Sequence, residues 1–450
     1  DVERFLKGQG PQIDLLADIT PFLNALRDRL REQGVGKEAP TENKVAQAVQ
    51  LMIHLAVKMH ASELHLEPQS HQLVSLRYRL DGVLKPIVDL DLRLLPAIIQ
   101  QWKTLAACNV RETARPQEGR IVVDIAAGGG KTDLRVMFLP TLLGEALSAF
   151  LLDPGAARLT LEQLNYSAPV MKRLFRWLDS PSGLVVFTGP AGCGKTSALY
   201  ACMNHIAAGP VRPRILTVEA EMEYQLPGTT QVLVRPEAGM SFESVLRAGL
   251  RSNPDVIMVG EIRDLETLTL SLQAALTGHR VLISLHTSEA ATALQRMIDV
   301  GASPFTVSDA TKLIVAQRLV RSLCPKCSVA GKPAEASSDP AQKLVHLAGL
   351  SWDNLAHGFR EPVGCKECHL TGYHGRIVIA EAMEVTPRIA AAMARGTVIA
   401  DWRAIAVSEG MSTLAAEGLR LAAEGKTSLS EVMRMAGAIY GAEPMKNCGN

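Results

Sequence analysis

Aromatic residues and net charge are both scarce in this sequence. Phe, Trp and Tyr make up 4% of its 450 residues, and 47 basic side chains nearly balance 46 acidic ones, which leaves a formal net charge of +1. Binding to nucleic acid phosphates depends on a surplus of Lys and Arg, and binding of single strands depends on aromatic side chains that stack on bases. We therefore expect no direct nucleic acid binding, and no long-range attraction to an anionic membrane.

Long apolar runs are missing as well. Charged residues, Gly or Pro interrupt every apolar stretch well before the roughly 20 residues that a membrane-spanning helix needs, and we expect no secretory leader. We expect a cytoplasmic protein, and the length predicts about two to four domains. Because the first residue is Asp1 rather than Met, we also expect the sequence to be a piece of a longer protein.

The most informative motif present is a phosphate-binding loop. Gly189, Gly194, Lys195 and Thr196 satisfy the pattern G-x-x-x-x-G-K-[ST], with a β-prone apolar run before the loop and a helical pattern after it. Lys195 would reach the β and γ phosphates of a nucleotide, and the Thr196 hydroxyl would bind Mg²⁺. A Gly-rich turn that merely carries a Lys is the alternative. The predicted nucleotide-binding residues are Gly189, Pro190, Ala191, Gly192, Cys193, Gly194, Lys195, Thr196 and Ser197.

Strand and helix patterns alternate around this loop, which predicts a mostly parallel sheet. The predicted strands are residues 185–188, 215–219, 256–261 and 281–286. Ligands of such sheets bind beyond the carboxyl ends of the strands, where Glu219, Glu261 and His286 fall. Glu261 is the acid that a Mg²⁺-bound or attacking water requires, although a solvated strand end is the alternative.

Two histidines bracket the last of these strands. A neutral imidazole beside a γ-phosphate can donate a hydrogen bond to it, which is a possible role for His279 and His286. A strand-end cap together with a core histidine explains the same spacing equally well.

Four of the eight cysteines form two C-x-x-C pairs, Cys324 with Cys327 and Cys365 with Cys368. Two such pairs can close a tetrahedral zinc site, and four thiolates leave no open position, so the predicted role is structural. The long gap between the pairs predicts an inserted helical segment at 340–350. A redox dithiol is the alternative, but no thioredoxin-like unit surrounds either pair. We interpret the neighbouring histidines, at positions 369 and 374, as bystanders.

The remaining patterns divide the chain into five segments. Residues 41–155 form a small α+β domain, with helical patterns from Thr41 and at 95–105 and strands at 61–68, 76–80, 121–125 and 133–138. The predicted segments are an N-terminal arm or remnant of an upstream domain (1–40) containing a helix at 15–30, the α+β domain (41–155), the nucleotide domain (156–320), the tetracysteine module (321–375) and a helical C-terminal segment (376–450).

The motifs also occur in a recognisable order. They read ASELHLEP with RYRLDGVL, PQEGRI, DLRVMFLPT, GPAGCGKT, LRSNPDVIMVGEIRD, ALTGHRVLISLHT, VAQRLVRSLCPKC and CKECHLTGYHGRI. From about residue 61 to about 383, the chain resembles the type II secretion and type IV pilus assembly ATPases, the GspE/PilB-like branch of the secretion ATPase superfamily. The resemblance implies an α/β multidomain fold: a PAS-like α+β N-terminal domain, a RecA-like P-loop ATPase domain, a small tetracysteine zinc module and a helical C-terminal segment.

The resemblance also implies roles for individual residues. By motif position, Lys195 and Thr196 bind phosphate and Mg²⁺, Glu261 belongs to the Walker B box, and His279 and His286 form the histidine box.

Further roles follow from other motifs of the family. Glu219 and Glu223 fall in its acidic box, and Arg120 of PQEGRI and Arg135 of DLRV match arginines of the N-terminal domain that reach toward the phosphates. An arginine in that position would stabilise the charge of the phosphoryl-transfer transition state.

The sequence departs from the family pattern at several positions. Ala220 and Glu221 replace the usual Asp and Pro of the acidic box, Leu143 and Ala146 replace His and Arg after LPT, and Phe150 replaces a frequent Arg. Glu219 is retained, so we expect hydrolysis to persist.

The family implies a homo-hexameric cytoplasmic ATPase, peripheral to the inner membrane through its partners, that powers assembly of pilin or pseudopilin fibres. The implied cofactors are ATP, Mg²⁺ and Zn²⁺. The implied partners are a polytopic inner-membrane platform protein and a membrane-anchored docking protein. The cysteine pairs favour an assembly motor, since retraction motors generally lack them. The alternatives are a degenerate ATP-binding scaffold, suggested by the altered acidic box, and a DNA-translocating or conjugative secretion ATPase, which the composition disfavours.

Overall fold

The computed structural model describes residues 20–32, 43–125, 130–152, 159–331, 333–355 and 358–440. The chain divides into two compact units, Asp1–Pro154 and Gly155–Asn450. Most of the predicted arm, and residues 153–158 at the predicted boundary of the α+β domain, lie outside the described residues. Among the helices of the described ranges, none has the length and apolar character to cross a membrane. The finer five-segment division stays a prediction.

The first unit is a single antiparallel sheet with helices against one face. Its helices are α1 (Thr20–Glu32), α2 (Lys44–Lys58) and α3 (Leu95–Leu105), and its strands are β1 (Glu63–Pro68), β2 (Leu73–Leu80), β3 (Val83–Asp91), β4 (Gln117–Ile125), β5 (Gly130–Thr141) and β6 (Gly144–Leu152). The strand order is β3-β2-β1-β6-β5-β4, and every neighbouring pair is antiparallel.

Alternation of apolar and polar residues along the strands determines which face of this sheet packs against the helices. Leu64 on β1 pairs with Tyr78 on β2 and with Ala149 on β6. These three side chains are buried in one core with the apolar sides of α2 and α3. Because successive residues of a strand point to opposite faces, the polar positions lie on the other face. Within the described residues, the helices and strands predicted for this unit are confirmed, while β3 and β6 were not predicted; residues 15–19 of the helix predicted at 15–30, and Thr41, where the next helical pattern was placed, lie outside the described residues.

The second unit is built on a seven-stranded sheet. Its strands are β7 (Gly183–Thr188), β8 (Ile215–Glu219), β9 (Thr229–Leu233), β10 (Val256–Val259), β11 (Arg280–Leu285), β12 (Thr311–Leu323) and β15 (Tyr373–Glu384), and β13 (Val329–Ala330) and β14 (Arg360–Glu361) form a small separate sheet. The helices are α4 (Ala168–Leu178), α5 (Lys195–Ala208), α6 (Phe242–Leu250), α7 (Leu265–Leu276), α8 (Ala290–Asp299), α9 (Pro304–Ala310), α10 (Asp339–Leu347), α11 (Pro387–Ala394), α12 (Ile399–Ser408), α13 (Leu414–Ala423) and α14 (Leu429–Tyr440).

The order of the large sheet is β15-β12-β7-β11-β10-β8-β9, and all pairs are parallel except β12 with β15. The central strands are buried at nearly every position and mainly apolar, because both faces of the sheet are covered. In β7, for example, Leu184 and Val186 face one core, while Val185 and Phe187 face the other. The order places the carboxyl ends of β7, β11 and β10 side by side, next to the predicted loop.

The C-terminal helices begin later than predicted. Residues 376–384, which the sequence pattern gave to helix, belong to β15, and the helical segment starts at Pro387. The β-branched run Ile377-Val378-Ile379 favours a strand, and pairing with β12 extends it through the Ala-rich residues that follow. The inserted helix predicted at 340–350 is confirmed as α10. The α/β multidomain fold is likewise confirmed.

Candidate functional site

The predicted phosphate loop joins β7 to α5. Gly189 has a φ of +153° and Gly194 a φ of +89°, conformations that favour glycine. A Cβ at position 189 would lie 2.4 Å from the Cys193 sulfur and 2.6 Å from the Gln317 carbonyl oxygen. The loop therefore folds back on itself against β12, and the N–H groups of the first turn of α5 open onto it.

The substitution Gly189→Ala should disturb this loop more than Gly192→Ala. Both residues have positive φ, but a Cβ at position 192 meets no heavy atom within 4 Å. We expect Gly192→Ala to cost about 1 kcal/mol of unfolding free energy, and Gly189→Ala to cost about 3 kcal/mol because strain and overlap add. Urea unfolding of the two variants measures the difference. Equal losses would show that the close contact with Cys193 and Gln317 is not part of the folded loop.

Lys195 is the first residue of α5, and its side chain bends back over the loop. Its Nζ donates to the carbonyl oxygens of Gly189 at 2.8 Å and Pro190 at 2.9 Å, and lies 3.4 Å from Nδ1 of His286. Burial lowers the pKa of Lys195 below its ordinary value. The loop thus holds a buried amine at its mouth, where it can bind a phosphate oxygen.

Glu261 and His286 meet beside this amine. Glu261 follows β10 and accepts a hydrogen bond from Arg263, and its Oε2 lies 3.9 Å from Nε2 of His286, which follows β11. Burial and the nearby Lys195 charge lower the pKa of His286, against the opposing effect of Glu261, so the imidazole is neutral at pH 7. The ring lies between Lys195 and Glu261, and all three groups lie at the carboxyl edge of the sheet.

Glu219 ends β8 in a different environment. Its carboxylate is buried and accepts hydrogen bonds from the Tyr200 hydroxyl, the Thr217 hydroxyl and the Gln231 amide. Three neutral donors therefore hold both carboxylate oxygens. This arrangement suits a residue that positions its neighbours better than one that accepts a proton from water.

His279 lies at the opposite end of β11 from His286. The extended strand between them spans about 23 Å. The His279 ring has its Nδ1 3.0 Å from the Ala274 carbonyl oxygen and 3.4 Å from the Thr277 hydroxyl. The second unit therefore does not bring His279 to the phosphate loop, and its place in a histidine box stays a prediction.

Arg120 and Arg135 belong to the first unit, where they face one another across β4 and β5. Arg120 binds Asp133 through Nε at 2.7 Å, and Arg135 binds Glu118 through Nε at 2.5 Å. Both ion pairs lie on the polar face of the sheet. A contact between these guanidinium groups and phosphate stays a prediction.

The four predicted zinc ligands converge. The sulfur atoms of Cys324, Cys327, Cys365 and Cys368 all lie within 4.8 Å of one another. Sulfur–sulfur distances are 3.9 Å for 324–365, 3.7 Å for 327–368 and 3.8 Å for 365–368, and a tetrahedral zinc with bonds of about 2.3 Å requires about 3.8 Å. The donor set and its spacing therefore fit a zinc site with four thiolate ligands.

Backbone N–H groups support the same sulfurs. Gly364 donates to Cys327 at 3.3 Å, and Cys365 and Gly372 donate to Cys368 at 3.1 and 3.2 Å. Although burial acts to raise the pKa of Cys368, the N–H groups of Cys365 and Gly372, together with the neighbouring thiols of Cys327 and Cys365, lower it below its ordinary value. N–H donors of this kind stabilise the thiolate form that binds metal.

The family described as "Type II/IV secretion system protein" matches residues 38–434, a range that contains both the phosphate loop and the cysteine cluster. The chain belongs to the type II/IV secretion system protein family. The resemblance seen in the sequence motifs is thereby confirmed.

Curated members of this family include close matches over most of the chain. "Type IV pilus assembly ATPase PilB" of Myxococcus xanthus is 35% identical, covering 96% of this chain and 75% of the relative. "Type II secretion system protein HxcR" of Pseudomonas aeruginosa is 37% identical, covering 87% of this chain and 77% of the relative.

Solved structures share the fold at low identity. The X-ray structure of the Legionella pneumophila ATPase DotB matches with a TM-score of 0.64 at 17% identity, covering 89% of this chain and 98% of DotB. The crystal structure of the pilus retraction motor PilT with bound ADP matches with a TM-score of 0.53 at 20% identity, covering 85% of this chain and 95% of PilT. These likenesses show the fold and leave the chemistry to the residues of the site.

This family member differs from the expected pattern mainly beside Glu219 and on the polar face of the first unit. Ala220 is partly buried against the core of the second unit, and Glu221 is exposed. Phe150 lies opposite Arg135 on β6 and makes an edge contact with His65. The donors that hold Glu219 come from three other positions, Tyr200, Thr217 and Gln231.

Two residues of the site were missed in the sequence. Gln317 and Arg318 lie on β12 beside the loop; Gln317 Nε2 donates to the Cys193 carbonyl oxygen at 2.8 Å, and Arg318 Nη1 donates to the carbonyl oxygen of Gln317 at 2.9 Å. Arg318 also donates to the carbonyl oxygen of Ser288. The sequence feature that could have revealed them is a polar pair in the middle of the otherwise apolar run IVAQRLV, which is typical of a buried strand.

Proposed function

We propose that this protein is an ATP-hydrolysing motor of a type II secretion or type IV pilus machine. The observation that carries the proposal is the convergence of Lys195, Glu261 and His286 at the phosphate loop. The loop itself joins strand β7 to the N-terminus of helix α5, and a helix N-terminus of this kind binds anions. The names of the relatives, one a pilus assembly ATPase and the other a type II secretion protein, support the same class of function.

The loop residues 189–194 and the first N–H groups of α5 would hold the phosphates. Lys195 would exchange its carbonyl partners for β- and γ-phosphate oxygens. The Thr196 hydroxyl and the Glu261 carboxylate are hard oxygen donors of the kind that Mg²⁺ prefers, and the ion would neutralise charge on the phosphates. Because three donors already hold Glu219, we assign orientation of the attacking water to Glu261. Neutral His286 can donate a hydrogen bond to the γ-phosphate.

We further propose that the cysteine cluster binds one structural Zn²⁺, and that the motor is a cytoplasmic homo-hexamer. The resemblance implies the hexamer, a phosphate-contacting role for Arg120 and Arg135, and a histidine-box role for His279. It also implies contact with an inner-membrane platform protein and a membrane-anchored docking protein, and so a peripheral location at that membrane. Sulfur–sulfur distances support the zinc.

The motor hypothesis predicts ATP hydrolysis, whereas the scaffold alternative predicts ATP binding without hydrolysis. Mg²⁺-dependent ATP hydrolysis should be measured over a range of protein concentrations. Activity per chain that rises with concentration would support sites that are completed by assembly. Tight ATP binding with no phosphate release at any concentration, even with a platform protein's cytoplasmic domain added, would contradict the motor and favour a scaffold, which the altered residues Ala220 and Glu221 motivate.

The substitution Glu261→Gln should separate binding from hydrolysis. The amide keeps the shape of the side chain but loses the charge that orients water, so we expect kcat to fall about 100-fold or more while ATP still binds. Steady-state kinetics and titration with a fluorescent ATP analogue measure the two effects. Glu266→Gln, an exposed position on α7, is the control and should retain normal kcat. Normal turnover in Glu261→Gln would exclude Glu261 from the reaction.

A further inference from the structure

A buried glutamine lies directly behind the phosphate loop. Gln317 is 2% exposed, on β12 beside the carboxyl end of β7. Its Nε2 donates to the Cys193 carbonyl oxygen at 2.8 Å, and its Oε1 accepts a hydrogen bond from the Tyr166 hydroxyl. Tyr166, Gln317 and Cys193 therefore form a continuous hydrogen-bonded chain that ends on the backbone of the loop.

The two partners determine the orientation of the Gln317 amide. A carbonyl oxygen only accepts hydrogen bonds, so the group that faces Cys193 must be the NH₂ group. The opposite oxygen then needs a donor, which Tyr166 supplies. Burial raises the pKa of Tyr166 well above its ordinary value, so its hydroxyl stays protonated. Each end of the amide meets the partner that it requires, and the side chain has a single orientation.

Holding the Cys193 carbonyl also sets the direction of the next N–H. The C=O and N–H of a trans peptide point in opposite directions, so the N–H of Gly194 is directed away from Gln317. The positive φ of Gly194 lets the backbone take this course, and a Cβ there would lie only 3.2 Å from Gln317 Nε2. Without Gln317, the Cys193 carbonyl oxygen would lose this hydrogen bond. The Cys193–Gly194 peptide could then rotate so that its carbonyl oxygen faced the side of the loop where phosphate would bind.

We propose that Gln317, oriented by Tyr166, is a positioning residue for phosphate binding, which fixes the Cys193–Gly194 peptide so that the Gly194 N–H is presented to the nucleotide phosphates. This inference rests on the proposed nucleotide-binding function of the loop. A peptide rotated the other way would place a carbonyl dipole against negative phosphate oxygens, and their repulsion would weaken binding of both ADP and ATP.

Two substitutions test the proposal. Gln317→Met removes both hydrogen bonds at similar volume without burying a charge, and Tyr166→Phe removes only the hydroxyl. We expect the Kd for Mg²⁺-ADP and Mg²⁺-ATPγS to rise about tenfold in Gln317→Met and about threefold in Tyr166→Phe. Because both act through one peptide, Tyr166→Phe should add no further loss in the Gln317→Met background.

The matched control is Tyr78→Phe in the first unit. The Tyr78 hydroxyl is buried and donates to the Met52 carbonyl oxygen at 2.6 Å, so this variant also loses a buried tyrosine hydrogen bond. Its Tm should fall, but its Kd, measured well below the Tm of each variant, should equal that of the wild type. If Gln317→Met does not fold, Tyr166→Phe carries the test alone.

The outcomes separate this inference from the proposed function. Failure of the wild-type protein to bind either nucleotide would overturn the proposed function and this inference with it. Normal binding and hydrolysis by the wild type, with wild-type Kd values in both variants or with losses that simply add, would overturn the positioning role of Gln317 alone.

Discussion

Replacing Lys195 with alanine should abolish ATP hydrolysis, with kcat/KM falling about 1000-fold or more. Lys195 is the cation at the mouth of the loop, and its Nζ is already held above the loop by two carbonyl oxygens. Alanine leaves the phosphates without this charge and removes the neighbour that helps to keep His286 neutral. Phosphate-release assays over a range of ATP concentrations measure the loss.

The control for this variant is Lys172→Ala, an exposed lysine on α4. It removes the same charge and side chain from the same unit, so its kcat/KM should match that of the wild type. Circular dichroism should show both variants folded. Substantial hydrolysis by Lys195→Ala would mean that the nucleotide binds elsewhere, and it would remove the basis of the proposed motor.

Replacing Cys324 with serine should release zinc and unfold the module that the four cysteines hold together. Metal analysis of the wild type should find about one Zn²⁺ per chain, and the variant should hold close to none. Binding of a structural zinc supplies folding free energy directly, so the Tm should fall by several degrees. A chelator added to the wild type should have the same effect.

Cys108→Ser is the matched control, because Cys108 lies in the first unit and outside the cluster. It should keep its zinc and show a Tm close to that of the wild type. Retained zinc and an unchanged Tm in Cys324→Ser would contradict the structural zinc site, and a disulfide detected in the wild type would favour the redox interpretation instead.

The sequence predicts some strands well for a physical reason. β7, β8, β10 and β11 are short, mainly apolar runs rich in Val and Ile, as expected for strands buried on both faces. β12 contains the polar pair Gln317-Arg318, and β15 ends in AEAME, whose residues favour helix in isolation. Pairing between these two strands overrides that preference, and a long-range pairing leaves no local mark in the sequence.

The residues of the site likewise differ in whether the sequence predicts them: those set by local spacing are predictable, and those brought together by strand pairing are not. The loop is predictable because its glycines and Lys195 act within a few residues of one another, and Cys-x-x-Cys spacing makes each half of the cluster equally local. Gln317 reaches Cys193 only because β12 lies beside β7 in the sheet. For the two histidines, the sequence already predicts that His286 follows the carboxyl end of a strand beside the loop. The structure adds that His279 precedes β11 at its other end, with its ring against the Ala274 carbonyl oxygen.

The cysteine cluster also bears on how this protein can vary. Its two halves close a loop that contains α10 and residues 328–364, and the entropy of closing a flexible loop rises only with the logarithm of its length. Doubling the length of such a segment would cost about 0.6 kcal/mol. Insertions at exposed positions between the two cysteine pairs should therefore cost the fold little free energy and change the surface without altering the sheet that carries the phosphate loop, whereas insertions within α10 should disturb Leu344 and Val345, which are buried in the core of the second unit.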